Sequence, residues 1–346
     1  MSLVSGAMRG EPGGLRTGSW SLWSAADLLA LPPPGLGPAV VALGTFDGVH
    51  LGHARILAEA VTLGRSLGCA PVAFTFDRHP MLTLAPERAP RALTPLSERV
   101  REILRSGIEH VVVVRFDGDF AALGAGEFLE RIVCRALGAR GVVVGYNFRF
   151  GRGAAGSTVD LERGAALHGY TLQVVPPVSV DGVPVSSTRI RAAVQEGRME
   201  EAVRLLGRPF AACGPVVRGD ARGRTLGYPT ANVETAPELV LPPDGVYLSR
   251  VLVRDGGENA GPPGDGAGNA EGTPALAVLS DRPSFATGRR TLECFLLDFS
   301  GDLYGREVEV RFLSRLRGIV RVASVEELTG QIARDVAAAR AYFAAE

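Results

Sequence analysis

The sequence predicts an α/β chain of two domains: an N-terminal doubly wound parallel sheet, then a small antiparallel β-barrel with a terminal helix. Three observations carry this. From about Val40 to Val180, short apolar runs rich in β-branched residues alternate with stretches of helical periodicity, the rhythm of strands covered on both faces. After about Gly207 little helix separates the strands, and Glu307-Val308-Glu309-Val310-Arg311-Phe312 alternates polar and apolar as a half-exposed antiparallel strand does. The 346 residues, 46% of them hydrophobic, exceed the usual length of one domain.

Taken in order, residues 1–19 are rich in Gly, Ser and Arg, lack the apolar core of a signal peptide and read as a disordered N-terminus. Trp20 and Trp23 follow, in what reads as a short helix packed on the body. The first domain, 20–197, takes strands at Val40–Leu43, Val72–Phe76, Val111–Phe116, Val142–Gly145 and Leu172–Val175. Its helices fall at Ala54–Leu67, Ser97–Ser106, Gly126–Leu137 and Val159–His168. Sheets of this kind bind ligands at the carboxyl ends of their strands. The junction Arg198–Arg208 reads as a short helix. The second domain, 198–346, takes strands at Val216-Val217, Val246–Val253, Ala275–Leu279, Leu292–Phe299 and Glu307–Leu313. Residues 254–274, glycine-rich and interrupted by Pro262-Pro263, read as a disordered hairpin insertion, because so little apolar surface cannot order itself. A helix at Val325–Phe343 closes the chain, with Ser324 and Glu327 in a capping-box pattern.

Lys+Arg and Asp+Glu balance at 37 each, which argues against general affinity for nucleic acid or membrane and makes any phosphate binding local. The four cysteines are far apart and form no CxxC, so neither a zinc site nor a disulfide framework is expected and the compartment reads as the reducing cytoplasm. No apolar run approaches the ~20 residues of a membrane span. Nothing in the sequence specifies an oligomeric state.

Two of the five histidines lie in Gly44-Thr45-Phe46-Asp47-Gly48-Val49-His50-Leu51-Gly52-His53. A strand running into a glycine turn brings His50 and His53, three residues apart and so on one face, to a helix start. The free N–H groups and dipole of that start favour anions. Gly44, Gly48 and Gly52 let backbone come close. A phosphate chain is the ligand such a site suits. Asp47 could orient a histidine, help hold a metal or stabilise the turn.

This segment, with Phe46 in its Phe-Asp-Gly-Val-His form, resembles the signature of the HxGH nucleotidyltransferases, in the branch of the prokaryotic bifunctional riboflavin kinase/FMN adenylyltransferases. The rest of the chain continues the resemblance. Ser186-Ser187-Thr188-Arg189-Ile190-Arg191 is similar to the superfamily's Ser-Ser-Thr-x-x-Arg element. Gly145-Tyr146-Asn147-Phe148-Arg149-Phe150-Gly151 and Thr75-Phe76-Asp77-Arg78-His79-Pro80 match further segments, with Arg78 where a proline is usual. Leu226-Gly227-Tyr228-Pro229-Thr230-Ala231-Asn232 resembles the Gly-x-Pro-Thr-Ala-Asn motif of riboflavin kinases, preceded by an Arg/Gly-rich hairpin.

The resemblance implies a Rossmann-like nucleotidyltransferase domain that adenylylates FMN to FAD and a barrel that phosphorylates riboflavin to FMN. ATP is co-substrate and Mg²⁺ cofactor of both. It implies catalytic roles for His50, His53 and, as general base, Glu293. It implies nucleotide contacts at Gly44, Phe46, Asp47, Gly48, Gly52, Asn147, Ser187, Thr188, Arg189 and Arg191, and around the kinase ATP at Gly219, Gly223, Arg224 and Gly227. Thr230 and Asn232 would offer Mg²⁺ the hard oxygens it prefers. Ser280 stands where the family usually has glycine, and residues 317–321 lack its charged-aromatic pattern. A single-activity adenylyltransferase with a flavin-binding barrel, or a non-enzymatic flavin-binding protein, therefore stays open at this level.

Overall fold

The computed structural model describes residues 18–345 except 31, 32, 34, 220–222, 224, 225, 255–270, 282–289 and 321. It divides into two compact units, Met1–Ser186 and Ser187–Glu346.

The first unit is built on a parallel sheet of six strands: β1 Ser19–Trp23, β2 Ala39–Leu43, β3 Ala70–Phe76, β4 His110–Val114, β5 Ala139–Gly145 and β6 Thr171–Val175, in the order β1-β4-β3-β2-β5-β6. Helices α1 Ala25–Ala30, α2 Leu51–Leu67, α3 Leu96–Arg105 and α5 Thr158–His168 cover it. So does α4, a turn at Ala125–Glu127 that widens into π-type winding over Phe128–Ala136, where the Leu137 N–H reaches the Ile132 carbonyl at 2.9 Å. Every residue of β2 is buried. Ala39, Val41 and Leu43 face a core shared with Leu28, Ile132 and Leu161, while Val40 and Ala42 face Leu57, Ala60, Val100 and Ile103. Continuous apolar strands are thus explained by two cores, one on each face. The chain runs outward from β2 to β3 and β4, then restarts on the other side with β5. The carboxyl end of β2 is therefore the topological switch point.

One expectation is overturned here. Trp20 and Trp23 lie in a strand, not a helix: β1 pairs with β4 from Ser19↔His110 to Trp23↔Val114. Two aromatic residues among serines fit a pleated edge better than an amphipathic helix, and they pack one on each core. The ordered chain also starts earlier than residue 20, since the Gly18 N–H donates to the Glu109 carbonyl at 2.8 Å; residues 1–17 lie outside the described residues.

His110 of β4 is buried beside Ser19, and burial lowers its pKa from the ordinary 6.5 against a weaker upward pull from Glu109. The unfolded chain binds this proton more readily, so stability rises with pH across the window from the lowered value to 6.5. As pH falls below 6.5 the unfolding temperature of the sheet unit should therefore drop, an effect that His110→Gln should reduce. Fluorescence of the two tryptophans, both in β1, reads this transition.

A two-strand ribbon of β7 Ser179–Val180 and β8 Val183–Pro184 ends the first unit. The second unit opens with helices α6 Ser187–Gln195 and α7 Met199–Leu206. A closed barrel follows: β9 Phe210–Val217, β10 Ala231–Val233, β11 Gly245–Arg254, β12 Thr273–Ser280, β13 Thr291–Leu296 and β14 Glu307–Arg317, in the order β10-β13-β12-β11-β14-β9. The expected insertion is shorter than 254–274. Arg254 still pairs with Glu307, and Thr273 already pairs with Val251; residues 255–270 lie outside the described ones. The strand expected to reach Phe299 ends at Leu296, and Asp298 turns with φ 53°. Helix α8, Val325–Ala344, packs Val336, Ala339 and Phe343 against Leu276, Val278 and Phe295 on the outside of the barrel. Its cap follows the sequence pattern, the Glu327 N–H donating to Ser324 Oγ at 3.1 Å, but the Glu327 carboxylate accepts from Ala323 N at 2.8 Å.

Candidate active sites

At the carboxyl end of β2 the backbone enters a strained turn. Phe46, Gly48 and Val49 have φ of 50°, 83° and 38°, a left-handed run that is costly for phenylalanine and more so for β-branched valine. Asp47 is buried, and its carboxylate accepts the Leu93 N–H at 3.0 Å and the Thr94 N–H at 3.2 Å. Of the three roles open to Asp47, these bonds support stabilisation of the turn. The turn ends at His50, which caps α2: its Nδ1 accepts the His53 N–H at 3.3 Å. A neutral His50 therefore carries its proton on Nε2, as a donor. Helix α2 begins at Leu51, earlier than expected, so only His53 belongs to its first turn.

The two imidazoles are stacked, with centroids 3.7 Å apart and planes 14° apart, and the Phe46 ring meets His53 edge-on at 5.3 Å. A Cβ on Gly52 would stand 3.1 Å from His50 Cε1, so glycine there makes room for the ring. Asn147 is exposed in the turn that follows β5, the strand hydrogen-bonded to β2, and thus lies on the same edge of the sheet. His79 accepts the Met81 N–H on Nδ1 at 3.2 Å, just ahead of a helical turn at Met81–Leu84.

Sequence reasoning missed Arg99. On α3 it looks like one more surface cation, yet it is 5% exposed. Its guanidinium donates to the carbonyls of Thr45 at 3.1 Å, Phe76 at 2.5 Å and Asp77 at 3.3 Å. Burial lowers its pKa, while the Asp47 and Asp77 carboxylates oppose that shift and favour the charged form.

In the second unit, Ser187, Thr188, Arg189 and Arg191 occupy the first turns of α6. Arg191 is buried, and Arg189 is drawn to Glu201 of α7, with Nε and Nη2 both 3.1 Å from its carboxylate.

On the barrel, residues 61 positions apart in the chain meet through strand register: Asn232 of β10 stands opposite Glu293 of β13. The Thr230 hydroxyl donates to Glu293 Oε2 at 3.3 Å. Alternation places Thr230, Asn232 and Glu293 on one face, the outer one that also carries Phe295. Tyr228, after the left-handed Gly227 at φ 82°, lays its ring edge-on to Phe295 at 5.5 Å. Gly219 and Gly223 close over the cluster: a Cβ on Gly219 would lie 2.6 Å from Asn232 Cγ, and one on Gly223 3.3 Å from Thr230 Oγ1. Arg224 lies outside the described residues. Ser280 is accommodated in the ladder, its hydroxyl 3.2 Å from that of Thr291. Asp244, at the start of β11, accepts Arg290 Nε and the Asp281 N–H, each at 3.0 Å.

Residues 34–189 match the family model of FAD synthetase and residues 206–343 that of riboflavin kinase. The bifunctional riboflavin kinase/FMN adenylyltransferase of Escherichia coli K12 is 37% identical over 88% of this chain and 92% of its own. The chain belongs to this family. Another bifunctional riboflavin kinase/FMN adenylyltransferase, from Listeria monocytogenes, is 32% identical over the same shares. A crystal structure described as a macrolide-efflux protein from Streptococcus pneumoniae shares the fold, with a TM-score of 0.79 and 31% identity over 92% of this chain and 98% of that one. Among the described residues no helix is long and apolar enough to cross a membrane. A bifunctional riboflavin kinase/FMN adenylyltransferase needs two reaction centres, and the two matched segments divide the stacked imidazoles from the Thr230–Asn232–Glu293 cluster.

Proposed function

We propose that this chain makes FAD in two ATP-dependent steps, phosphorylation of riboflavin on the barrel and adenylylation of FMN by the HxGH site. The observation that carries this is the Thr230–Asn232–Glu293 cluster, a built polar site on a barrel whose partner unit carries the stacked imidazoles.

On the barrel, Glu293 takes the proton of the riboflavin 5′-hydroxyl as its oxygen attacks the γ-phosphorus of ATP and ADP leaves. Gly219, Gly223 and Gly227 cradle the nucleotide phosphates. The Thr230 hydroxyl and Asn232 amide oxygen are hard donors of the kind Mg²⁺ takes, and with phosphate oxygens they would hold it. When bound, Mg²⁺ would neutralise phosphate charge. Among the described residues no group of His, Cys, Asp or Glu side chains forms an all-protein cage, which suits a metal that arrives with its nucleotide.

In the HxGH site an FMN phosphate oxygen attacks the α-phosphorus of ATP and pyrophosphate leaves. The reaction needs alignment and charge stabilisation rather than a covalent intermediate. His50, through Nε2–H, and His53 donate to the phosphate oxygens that gain charge. Gly44, Phe46, Asp47, Gly48 and Gly52 shape the turn that brings them there, and Asn147 contacts phosphate. Ser187, Thr188 and Arg191, at the start of α6, are groups suited to the β- and γ-phosphates of a nucleotide, and Arg189 beside them is held by Glu201. The site of action is the cytoplasm, supported by four cysteines that are all free thiols.

The test is chromatographic: riboflavin, ATP and Mg²⁺ are incubated with the purified chain and flavins are followed in time. FMN should appear first and FAD second. Untouched riboflavin with conversion of supplied FMN to FAD would leave a single-activity adenylyltransferase. Gly219→Ala is expected to raise KM for ATP in FMN formation about tenfold by displacing the Asn232 amide, with FAD formation from supplied FMN unchanged.

A further inference from the structure

We propose that Arg99 is a positioning residue for adenylyl transfer, holding the left-handed turn from which His50 and His53 project; this rests on the reading of that turn as the adenylyl site. The case starts from cost. A guanidinium 5% exposed gives up its hydration, and a leucine or methionine would fill the space between α3 and the sheet without that penalty. Three carbonyls recompense its two terminal nitrogens, while Nε is buried without a partner, and all three belong to the edge where the proposed chemistry occurs: Thr45 just beyond β2, and Phe76 and Asp77 at the end of β3. The Thr75 hydroxyl donates to the same Thr45 carbonyl at 3.0 Å.

The turn that begins at Thr45 needs holding. Phe46 and Val49 sit in a backbone region that side chains avoid, at φ 50° and 38°. The restraint is reciprocal. Asp47 in the turn accepts N–H groups from Leu93 and Thr94, on the approach to α3, and Arg99 of α3 donates back to the turn one residue ahead of Phe46. The Asp47 and Asp77 carboxylates oppose the larger effect of burial, which lowers the guanidinium pKa. Because the Phe46 ring meets His53 edge-on, rotation about Thr45-Phe46 displaces the imidazole directly. Arg99 therefore acts through the turn and need not touch the nucleotide.

The test uses the full chain with Arg99→Met and Arg99→Lys. In Arg99→Met, kcat for FAD formation should fall about 100-fold, the scale of a misplacement near 1 Å. KM for ATP should stay within about threefold, since alignment rather than ground-state binding is lost. Arg99→Lys, keeping charge and one or two donors, should recover to within about tenfold of wild type. Nitrogen-15 spectra of the imidazoles, assigned with His50→Gln and His53→Gln, should show the single Nε2–H tautomer of His50 in wild type and a mixture in Arg99→Met.

Emission from Trp20 and Trp23 reports that the sheet unit is folded. A folded Arg99→Met with wild-type kcat and wild-type imidazole signals overturns the proposal. Should that variant lose native emission, Arg99→Lys decides, and wild-type values in it overturn the proposal equally. Should wild type form no FAD, the assignment of the reaction falls by itself, and the tautomer spectra of the variants alone decide whether Arg99 sets the turn.

Discussion

Alanine in place of His53 is expected to lower FAD formation from FMN and ATP by about 10²- to 10³-fold, the loss seen when one preorganised donor to a developing charge is removed. FMN formation from riboflavin should continue at its wild-type rate. The size of the effect follows from the stack. His53 lies against His50 at 3.7 Å and is braced by Phe46, so its ring, the proposed phosphate donor, also fixes the plane of its neighbour. Its backbone N–H still reaches His50 Nδ1 in the alanine variant, so the His50 tautomer survives and the loss isolates the His53 ring. Paired assays of both steps on one preparation give the answer. Loss of both activities in a chain with native tryptophan emission would contradict separate sites.

Glutamine at position 293 should stop the other half of the sequence. Glu293→Gln keeps shape and an oxygen for the Thr230 hydroxyl, whose bond to Oε2 measures 3.3 Å, but removes the proposed general base. A decrease of about 10²- to 10⁴-fold in FMN formation is the range for a lost general base. Supplied FMN should still become FAD at the wild-type rate. An unchanged kinase rate would take Glu293 out of the mechanism and leave Thr230 and Asn232 as nucleotide ligands only.

What the sequence made legible, and what it hid, divides along a physical line. The sheet was legible because β2, β3, β4 and the middle of β5 are buried on both faces and therefore almost continuously apolar, whereas β1, an edge strand with serines between its tryptophans, carries no such run. His50 and His53 were legible because one local turn carries them. The meeting of Asn232 with Glu293 depends on strand register, and no local pattern expresses it. Arg99 was hidden for a related reason. Its helix reads Leu-Ser-Glu-Arg-Val-Arg-Glu, in which Arg101 does pair with Glu98 as an ordinary surface cation, and only the carbonyls arriving from β2 and β3 set Arg99 apart. Arg189 is a basic group with a phosphate-binding neighbourhood in sequence, yet Glu201, twelve residues on, engages it.

The closed barrel imposes an order on biosynthesis. Phe210 of β9 pairs with Phe312 of β14, so the strand that opens the barrel waits for the strand that seals it, some hundred residues later. At ribosomal speed that is a delay of about 5–20 s. The parallel sheet has emerged by Ser186 and can fold meanwhile, and β9 spends the interval with the edge that β14 will cover left bare. Nascent chains stalled before Glu307 should therefore hold a folded sheet unit and an open, protease-sensitive second half.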